Sequence, residues 1–375
     1  MFKAEELFQN ITDKNHPDET VLTIIQGKGT LPREQAGRNI HYDDASLSNY
    51  KKVEQGDFII HLRSFEGGLE MANEAGIVSP AYTILRCKRP HSSLFYDAYF
   101  HTDEFINHNL SKSVEGIRDG RQISYEAFKW LGIPYCEPTE QEKISNLFAA
   151  LNERIAKQRD LIEALKKYKR GVVRTLLSPK HCSSKDVKWT TSRIGDIGTF
   201  IKGAPLSKAD ISLEGTPFIL YGELYTTYSE VISNVVRKTQ ASVDKQYYSQ
   251  IGDVIIPTSG ETPEEISTAS CVMLPDIILA GDLNIYRCTQ VDGRIMSYIL
   301  NHVVNDRIAR IAQGKSIVHV QAAEISKIEI TYPDSFSQKT IIAILAAISD
   351  RIDQSNAELR LLYELRKALL QKLFI

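Results

Sequence analysis

Two stretches of the sequence follow one plan: residues 137–178 read EPTEQEKISNLFAALNERIAKQRDLIEALKKYKRGVVRTLLS, and residues 334–375 read DSFSQKTIIAILAAISDRIDQSNAELRLLYELRKALLQKLFI. Placed at an offset of 197 residues, the two stretches share Gln141 with Gln338, Ala149 and Ala150 with Ala346 and Ala347, Arg154 and Ile155 with Arg351 and Ile352, Leu165 with Leu362, and Leu176 with Leu373. The chain therefore contains an internal repeat, which determines how the rest of the sequence is interpreted.

Both stretches have the apolar spacing of a coiled-coil seam, in alternating steps of four and three residues. The seam positions are Ile144, Phe148, Leu151, Ile155, Ile162 and Leu165 in the first stretch and Ile341, Leu345, Ile348, Ile352, Leu359 and Leu362 in the second. Polar residues occupy two further seam positions of each copy, Gln158 with Ser355 and Lys169 with Arg366. At 1.5 Å per residue, the pattern predicts two helices of about 57 Å each. A pair of ordinary core helices is the disfavoured alternative, because such helices average only about 11 to 12 residues.

The repeat divides the chain into four predicted segments. These are a first globular domain at residues 1–137, a central helix at 138–178, a second globular domain at 179–336 and a C-terminal helix at 337–375. Because the ends of a compact domain usually lie close together, the second domain should bring the end of one helix near the start of the other. We therefore expect the two helices to be antiparallel.

The predicted domains consist mainly of short β-rich runs separated by Gly, Pro and Asn. The predicted strands are Val21–Ile25, Phe58–Ile60, Tyr82–Leu85, Phe218–Tyr221, Val254–Ile256 and Asn284–Tyr286, and helices are predicted at residues 100–110 and 296–311. The segment Gly56–Ile60 resembles Gly252–Ile256 at an offset of 196, so the repeat extends into the domains. The predicted fold class is α/β (α+β): two globular domains separated by two long antiparallel coiled-coil helices, with an internal pseudo-twofold repeat.

The composition excludes several classes of protein. The chain has 375 residues, 45 of them basic and 47 acidic, and a net charge of −2 excludes a polybasic protein that holds nucleic acid by bulk charge. No signal peptide and no transmembrane stretch is visible, so we expect no membrane partner. The five cysteines form no C-x-x-C pair, which favours reduced thiols in a cytoplasmic protein over disulfides or a zinc site.

The common catalytic signatures are missing from the sequence. It contains no methyltransferase tetrapeptide, no nuclease Asp/Glu-x-Lys pattern with a nearby Pro-Asp, no metal-binding histidine spacing and no nucleophile elbow. Gly314, Lys315 and Ser316 end like a P-loop but lack the earlier glycine. We therefore expect a non-catalytic chain that holds neither a metal nor a cofactor of its own.

Basic residues beside glycine-containing loops indicate recognition of nucleic acid, because Arg and Lys contact phosphates and guanine edges. The candidates are Lys28, Arg33, Arg38, Arg63, Arg86, Lys88, Lys112, Arg118 and Arg121 in the first domain and Lys202, Lys208, Arg307, Arg310, Lys315, Ser316 and His319 in the second. Residues 116–121 and 313–319 occupy similar places in the two copies, which favours them. For each single cluster, ordinary solvated loop charge is the alternative.

The chain resembles a specificity subunit of a type I restriction–modification system over nearly its whole length. The resemblance rests on the two-copy plan and on the segments Glu140–Ile144, Phe148–Ile155, Gln338–Ile352, Leu369–Phe374, Trp189–Gly203 and Gly76–Tyr82. The first half departs from the family at its start, where Phe2–Asn10 stands in place of the Trp…Gly-Asp-Ile-Gly pattern.

The resemblance implies that each domain reads one half of an asymmetric, bipartite target in double-stranded DNA, with the helices as spacer and docking site. Two methylation subunits would dock and bring S-adenosylmethionine for adenine methylation, and restriction subunits would add cleavage driven by ATP and Mg²⁺. A specificity subunit of a related type II system, a coiled-coil interaction scaffold without DNA specificity, and a self-contained nuclease or methyltransferase are the alternatives.

Overall fold

The chain builds one α/β plan twice, and a computed structural model describes it for residues 1–36, 44–116, 122–182, 186–314 and 318–374. Internal contacts divide it into a first unit, Met1–Asp160 with Asn356–Ile375, and a second unit, Leu161–Ser355. Each unit thus contains one α/β domain, the start of the long helix that follows that domain, and the end of the other long helix.

The first α/β domain consists of twelve described strands and four short helices. The strands β1 to β12 are Phe2–Lys3, Phe8–Ile11, Leu22–Ile25, Gly29–Pro32, Lys51–Val53, Phe58–Ile60, Glu70–Met71, Gly76–Val78, Thr83–Cys87, Val114–Glu115, Gln122–Ile123 and Gly132–Ile133. The helices α1 to α4 are Ala4–Leu7, Ser64–Gly67, Ser93–Phe100 and Tyr125–Phe128, and the long helix α5 follows at Pro138–Leu176. Between α3 and β10, a π-helical turn at Glu104–Asn109 runs into a 3-10 turn at Leu110–Ser113.

The second α/β domain also has twelve described strands. The strands β13 to β24 are Trp189–Arg193, Gly198–Lys202, Thr216–Leu220, Val231–Ile232, Arg237–Thr239, Asp253–Pro257, Ser259–Gly260, Ser270–Val272, Ile278–Ala280, Leu283–Cys288, Val318–His319 and Glu329–Pro333. The helices α6 to α10 are Glu223–Thr226, Pro263–Ile266, Gly293–His302, Asn305–Ile311 and Ala322–Ile325, and α11 is Ser335–Leu373.

The central sheets of the two domains have the same strand order, which confirms the repeat. In the first domain the order is β2-β9-β6-β7, and in the second it is β14-β22-β18-β20, extended by β16. The registers also correspond: Phe58 pairs with Leu85 and Met71, as Val254 pairs with Tyr286 and Cys271. Leucine, isoleucine and aromatic side chains of these strands are buried against α3 or α8.

A buried ion pair braces each sheet at the same point. The Arg86 guanidinium donates to both carboxylate oxygens of Asp57, at 2.8 and 2.7 Å. The Arg287 guanidinium bonds the carboxylate of Asp253 in the same way, at 3.0 and 3.2 Å. Both aspartates are buried and also cap a main-chain N–H three residues upstream. The Gly-Asp dipeptide repeated in the sequence therefore anchors the start of β6 and of β18.

The seam predicted from the heptad spacing faces inward along both long helices. Seven seam residues are buried: Phe148, Leu151, Ile155, Ile162, Ile341, Leu345 and Ile352. The remaining five, Ile144, Leu165, Ile348, Leu359 and Leu362, are half-buried. The polar seam residues Gln158 and Ser355 are also buried, with 3% and 2% of their surface exposed. The predicted seam of both 39-residue helices therefore consists of buried and half-buried side chains.

In the first unit, the start of α5 and the end of α11 run antiparallel. The Phe148 ring stacks on Phe374, with centroids 6.1 Å apart. Arg366 Nε donates to Asn152 Oδ1 at 3.0 Å, and Arg154 bonds Glu358. As the residue number rises along α5, the number of its partner on α11 falls, as the argument from domain ends predicts.

In the second unit, the end of α5 is held by an ion-pair cluster. Lys169 Nζ donates to Glu230 Oε2 at 2.8 Å, and Glu230 Oε1 lies 2.8 Å from His302 Nε2. Burial works against the charge of Glu230, but the His302 bond and the Lys169 charge outweigh it and lower the pKa of Glu230 to about 2. The polar seam residue Lys169 therefore joins the helix to the second domain.

A glutamine joins the start of each long helix to the domain before it. Gln141 accepts from the main-chain N–H of Ser92 at 2.9 Å and donates to the carbonyl of Cys136 at 2.8 Å. Gln338 accepts from Asp292 N–H at 2.8 Å and donates to Pro333 O at 2.9 Å. Ser92 and Asp292 are the residues before α3 and α8. The identity of these two glutamines in the repeat thus has a structural cause.

One local expectation was wrong. The predicted helix at residues 296–311 is two helices, α8 and α9, because Val303 and Val304 both turn back to the Ile299 carbonyl.

The start of α11 is capped by Asp334, whose carboxylate accepts from Phe336 N–H at 3.0 Å and Ser337 N–H at 3.1 Å. These bonds, with further ones from the Ser337 hydroxyl and Lys188 N–H, lower the pKa of Asp334 to about 2.

Removal of either junction glutamine should weaken its own half of the molecule. Gln141→Ala leaves the Ser92 N–H and the Cys136 carbonyl without their partner, so the free energy of unfolding should fall by about 2 kcal/mol. Amide hydrogen exchange should accelerate at Ser92 and stay unchanged at Asp292, and Gln338→Ala should give the reverse.

The matched control is Gln354→Ala, at an exposed position of α11, which should change stability by less than about 0.5 kcal/mol. Equal protection of Ser92 in wild type and Gln141→Ala would show that the glutamine bridge does not hold the junction.

Candidate nucleic-acid interface

Two of the predicted DNA-contacting residues lie near one end of the strands of the first central sheet. The strands β2 and β6 end there and β9 begins there, with Ile11 paired to Ile84 and Ile60 paired to Thr83. Arg63 follows β6 and precedes α2, and its side chain is exposed. Lys28 lies in the turn between β3 and β4, also exposed.

The β3–β4 turn packs directly beside α2. A methyl group placed at Gly67 would come within 1.9 Å of the Gln26 amide nitrogen, so the Gln26 side chain lies against this glycine. The strand β11, which follows residues 117–121, also contacts α2. The structure therefore brings Lys28 and Arg63 to one surface around α2, which we call the α2 surface.

Two other candidates lie at the opposite end of the sheet. Arg86 is occupied by Asp57 and also lies 3.1 Å from Glu54. The hydrogen bond that the Arg86 guanidinium donates to Asp57 is the main cause that raises the pKa of Arg86. Lys88 Nζ donates to the Glu5 carbonyl at 2.6 Å. This end of β9 leads toward Ser92 and the start of α5, so these two residues are separated from the α2 surface.

In the second domain, the corresponding ends of the strands lie around α7. The strands β14 and β18 end there, with Lys202 opposite Asn284 and Pro257 opposite Leu283. His319 pairs with Ser259, and β23 contacts α7. Lys202 and His319 are exposed. We call this the α7 surface, and its position after the central strand β18 corresponds to that of the α2 surface after β6.

The remaining candidates are spread more widely. Arg307 and Arg310 are exposed on α9, which packs on α7, and Arg307 Nη1 donates to Glu329 O at 2.9 Å. Lys208 is exposed in a 3-10 turn, Lys112 is exposed after the π-helical turn, and Arg33 is half-buried after β4. Arg38, Arg118, Arg121, Lys315 and Ser316 lie outside the described residues.

The two surfaces differ in their acidic residues. The α2 surface carries Glu66, whereas the α7 surface carries Glu261, Glu264 and Glu265, all exposed or nearly so. A phosphate backbone approaching α7 would meet this negative charge, so contacts there depend on individual basic side chains. Net charge runs in the opposite sense along the sequence, because residues 1–138 carry −5 and residues 179–336 carry −3.

Metal-binding clusters are not found in the part of the chain that the structure describes. No group of three or more His, Cys, Asp and Glu residues there could hold a metal ion. All five cysteines are free. Burial raises the pKa of the Cys271 thiol to about 12, so it is not a nucleophile at neutral pH. Within the same ranges, no helix combines the length and apolar character that crossing a bilayer requires.

The sequence prediction overlooked the residues that hold these surfaces in place. Glu70 accepts the main-chain N–H groups of Gly27 and Gly29 at 2.7 and 2.9 Å. The glycines on both sides of Lys28 were the available signal, because both adopt positive φ, of 73° and 77°. The acidic partner lies more than 40 residues away in sequence, so no local pattern identifies it.

An exposed apolar stripe on the long helices was also overlooked. Leu147 and Ile344, which correspond at the offset of 197, are 44% and 40% exposed. Tyr168 and Leu365 correspond in the same way and are 61% and 49% exposed. Solvent-exposed apolar side chains thus recur at equivalent places of the two copies of the repeat.

Part of the sequence matches a known protein-family model. Residues 186–362 match the family model of the type I restriction modification DNA specificity domain. No curated protein sequence matches the chain.

Three solved structures have a fold similar to that of the entire chain, each covering 100% of it. The HsdS subunit from Thermoanaerobacter tengcongensis shares 16% sequence identity with a TM-score of 0.51, matched over 95% of its own chain. The S subunit of a type I restriction-modification system from M. genitalium shares 15%, with a TM-score of 0.58 over 95%. A structure describing complex assembly and conformational transition of the type I R-M system shares 15%, with a TM-score of 0.64 over 96%.

Substitution of Arg86 and of Arg63 by alanine should have different effects on stability. Arg86→Ala leaves Asp57 buried without its partner and should lower the free energy of unfolding by about 2 kcal/mol, less than for a fully buried pair because Arg86 is partly exposed. Arg63→Ala, at an exposed position, should change it by less than about 0.5 kcal/mol. Urea unfolding followed by circular dichroism measures both, and the same loss of stability in both variants would contradict the assignment.

Proposed function

We propose that this chain is a DNA sequence-recognition subunit of the type I restriction–modification class, and that each of its α/β domains reads one half of an asymmetric, bipartite target. The sequence match at residues 186–362 covers most of the second domain and the first part of the helix that follows it. The observation that carries the proposal to both halves is the shared strand order of the two central sheets, with exposed basic side chains near the strand ends of each.

The proposed division of the chain is that of the repeat: recognition domains at residues 1–137 and 179–336, and helices at 138–178 and 337–375. Lys28 and Arg63 on the α2 surface, and Lys202 and His319 on the α7 surface, are the contacts that the geometry favours most. Because the residues on the two surfaces differ, the two half-sites should differ in sequence. The seam residues would keep the spacing between the half-sites fixed.

The proposed partners are double-stranded DNA, two methylation subunits and, where present, restriction subunits. The exposed stripe, represented by Leu147, Ile344, Tyr168 and Leu365, supports docking of one methylation subunit per copy of the repeat. S-adenosylmethionine, ATP and Mg²⁺ then belong to those partner subunits, and this chain contributes no catalytic residue. We also propose that the complex works in the cytoplasm, where its target DNA lies and where free thiols remain reduced.

Two alternative functions predict different experimental outcomes. A coiled-coil scaffold without DNA specificity would assemble with partners through the same stripe, but the modified DNA sequence would not depend on this chain. A specificity subunit of a related type II system would read a bipartite target without ATP-driven translocation.

The proposal is tested by mapping modified bases in cells that express the chain with its methylation subunit. The expected result is an interrupted motif with two unlike halves. Replacement of residues 188–330 with the corresponding segment of another specificity subunit should change one half of the motif and leave the other unchanged.

A cassette exchange within the helices, which keeps the seam residues and changes exposed polar positions, serves as control and should leave both halves unchanged. A contiguous motif, or one that is the same after the domain exchange, would contradict the two-domain assignment.

A further inference from the structure

The turn that carries Lys28 is held by a carboxylate with no exposed surface. Glu70 is 0% exposed and accepts Gly27 N–H at 2.7 Å through Oε1 and Gly29 N–H at 2.9 Å through Oε2. A buried carboxylate loses much of its hydration, and such a charge persists in proteins only where several donors face it. The two amides therefore point into the protein, not toward a ligand outside it.

Asn73 fixes the same turn from a second side. Its Nδ2 donates to the carbonyls of Lys28 and Thr30 at 2.8 and 2.9 Å. Its own main-chain N–H donates to Thr30 Oγ1 at 3.0 Å. Gly29 has no room for a side chain, because a Cβ would lie 2.5 Å from the Met71 carbonyl. The main chain on both sides of Lys28 is thus fixed in one conformation.

A histidine completes the cluster from the helix α3 side. His101 Nε2 lies 3.3 Å from Glu70 Oε1, and Nδ1 donates to the Asp97 carbonyl at 2.8 Å. Burial opposes the charge of His101, but the bond with Glu70 and the charge of Asp97 outweigh it and raise its pKa. Burial likewise opposes the charge of Glu70, and the His101 and glycine bonds lower its pKa.

The Lys28 ammonium is the charged group of this turn that faces outward. It is exposed on the α2 surface, and no hydrogen bond to its ammonium is found among the described residues. A main chain that is already fixed loses less entropy when its side chain contacts a partner. The flexible lysine stem carries a compact charge, which suits a phosphate better than the edge of a base.

We propose that Glu70 is a positioning residue, which holds the Gln26–Lys28 turn so that Lys28 contacts a phosphate of the DNA half-site read by the first domain. The inference rests on the proposed function of that domain. Glu70 does not touch DNA itself, and it acts through the two glycine amides. The contact contributes affinity and register, and the sequence preference of the half-site comes from other residues.

The test measures binding of the chain, assembled with its methylation subunits, to a duplex that carries the mapped target. Lys28→Ala should weaken binding about 5- to 10-fold near 0.1 M salt and make the slope of log affinity against log salt shallower by about one. The methylated motif should remain the same. Glu70→Gln should reproduce both effects, because its amide cannot accept from both glycine N–H groups.

The double variant Lys28→Ala with Glu70→Gln distinguishes positioning from general damage to the fold. It should bind no more weakly than either single variant, whereas independent effects would multiply. Glu126→Gln is the matched control: it removes an exposed negative charge on α4 and should bind as wild type. Asn73→Ala, which removes only the second brace, gives the same test if Glu70→Gln does not fold.

The outcomes separate this inference from the function on which it rests. Unchanged affinity and salt slope for Lys28→Ala, or multiplied effects in the double variant, would overturn the positioning role while sequence-dependent binding persists. Loss of sequence-dependent binding in the wild-type complex itself would overturn the proposed function instead.

Discussion

The rest of the fold depends on the junction at which a long helix leaves its α/β domain. In each half a buried glutamine, Gln141 or Gln338, connects the N-terminal end of the domain helix to the main chain just before the long helix. One amide group thus fixes both the position and the direction of the helix start. The seam then buries the apolar stripe of each helix, and the polar seam residue Lys169 adds a bond to Glu230.

The charge distribution explains how acidic domains can recognise DNA. Much of the basic charge has a structural partner: Arg86 with Asp57, Arg287 with Asp253 and Lys169 with Glu230. Long-range attraction of DNA by the domains is therefore small, and the proposed recognition would depend on a few exposed basic side chains near the strand ends. The net positive charge of the helix segments, +4 at residues 139–178 and +2 at 337–375, lies away from these strand ends in sequence.

Much of the architecture was predictable because it depends on periodic patterns. The heptad spacing and the offset of 197 residues identified both long helices and the repeat. The identity of Gln141 with Gln338 pointed to a shared role, but its hydrogen bonds to Ser92 and Asp292 join residues some 50 positions apart. Such long-range bonds leave no local signal.

The same limit applies to the basic residues. Arg86 looked like a candidate contact because its neighbours are basic, whereas its partner Asp57 is 29 residues away. Glu70 resembled any strand residue until the structure placed it beneath the turn that carries Lys28. Residues 117–121 and 315–317, which make up most of the predicted clusters at 116–121 and 313–319, lie outside the described parts of the chain, so those assignments stay predictions.

The most direct measurement of the central claim is a hydroxyl-radical footprint of the assembled complex on its target DNA. Two domains that read separate half-sites predict two protected stretches with accessible base pairs between them. Arg63→Ala should weaken protection in one stretch and leave the other unchanged. One continuous protected stretch, or equal weakening of both stretches by Arg63→Ala, would contradict the account.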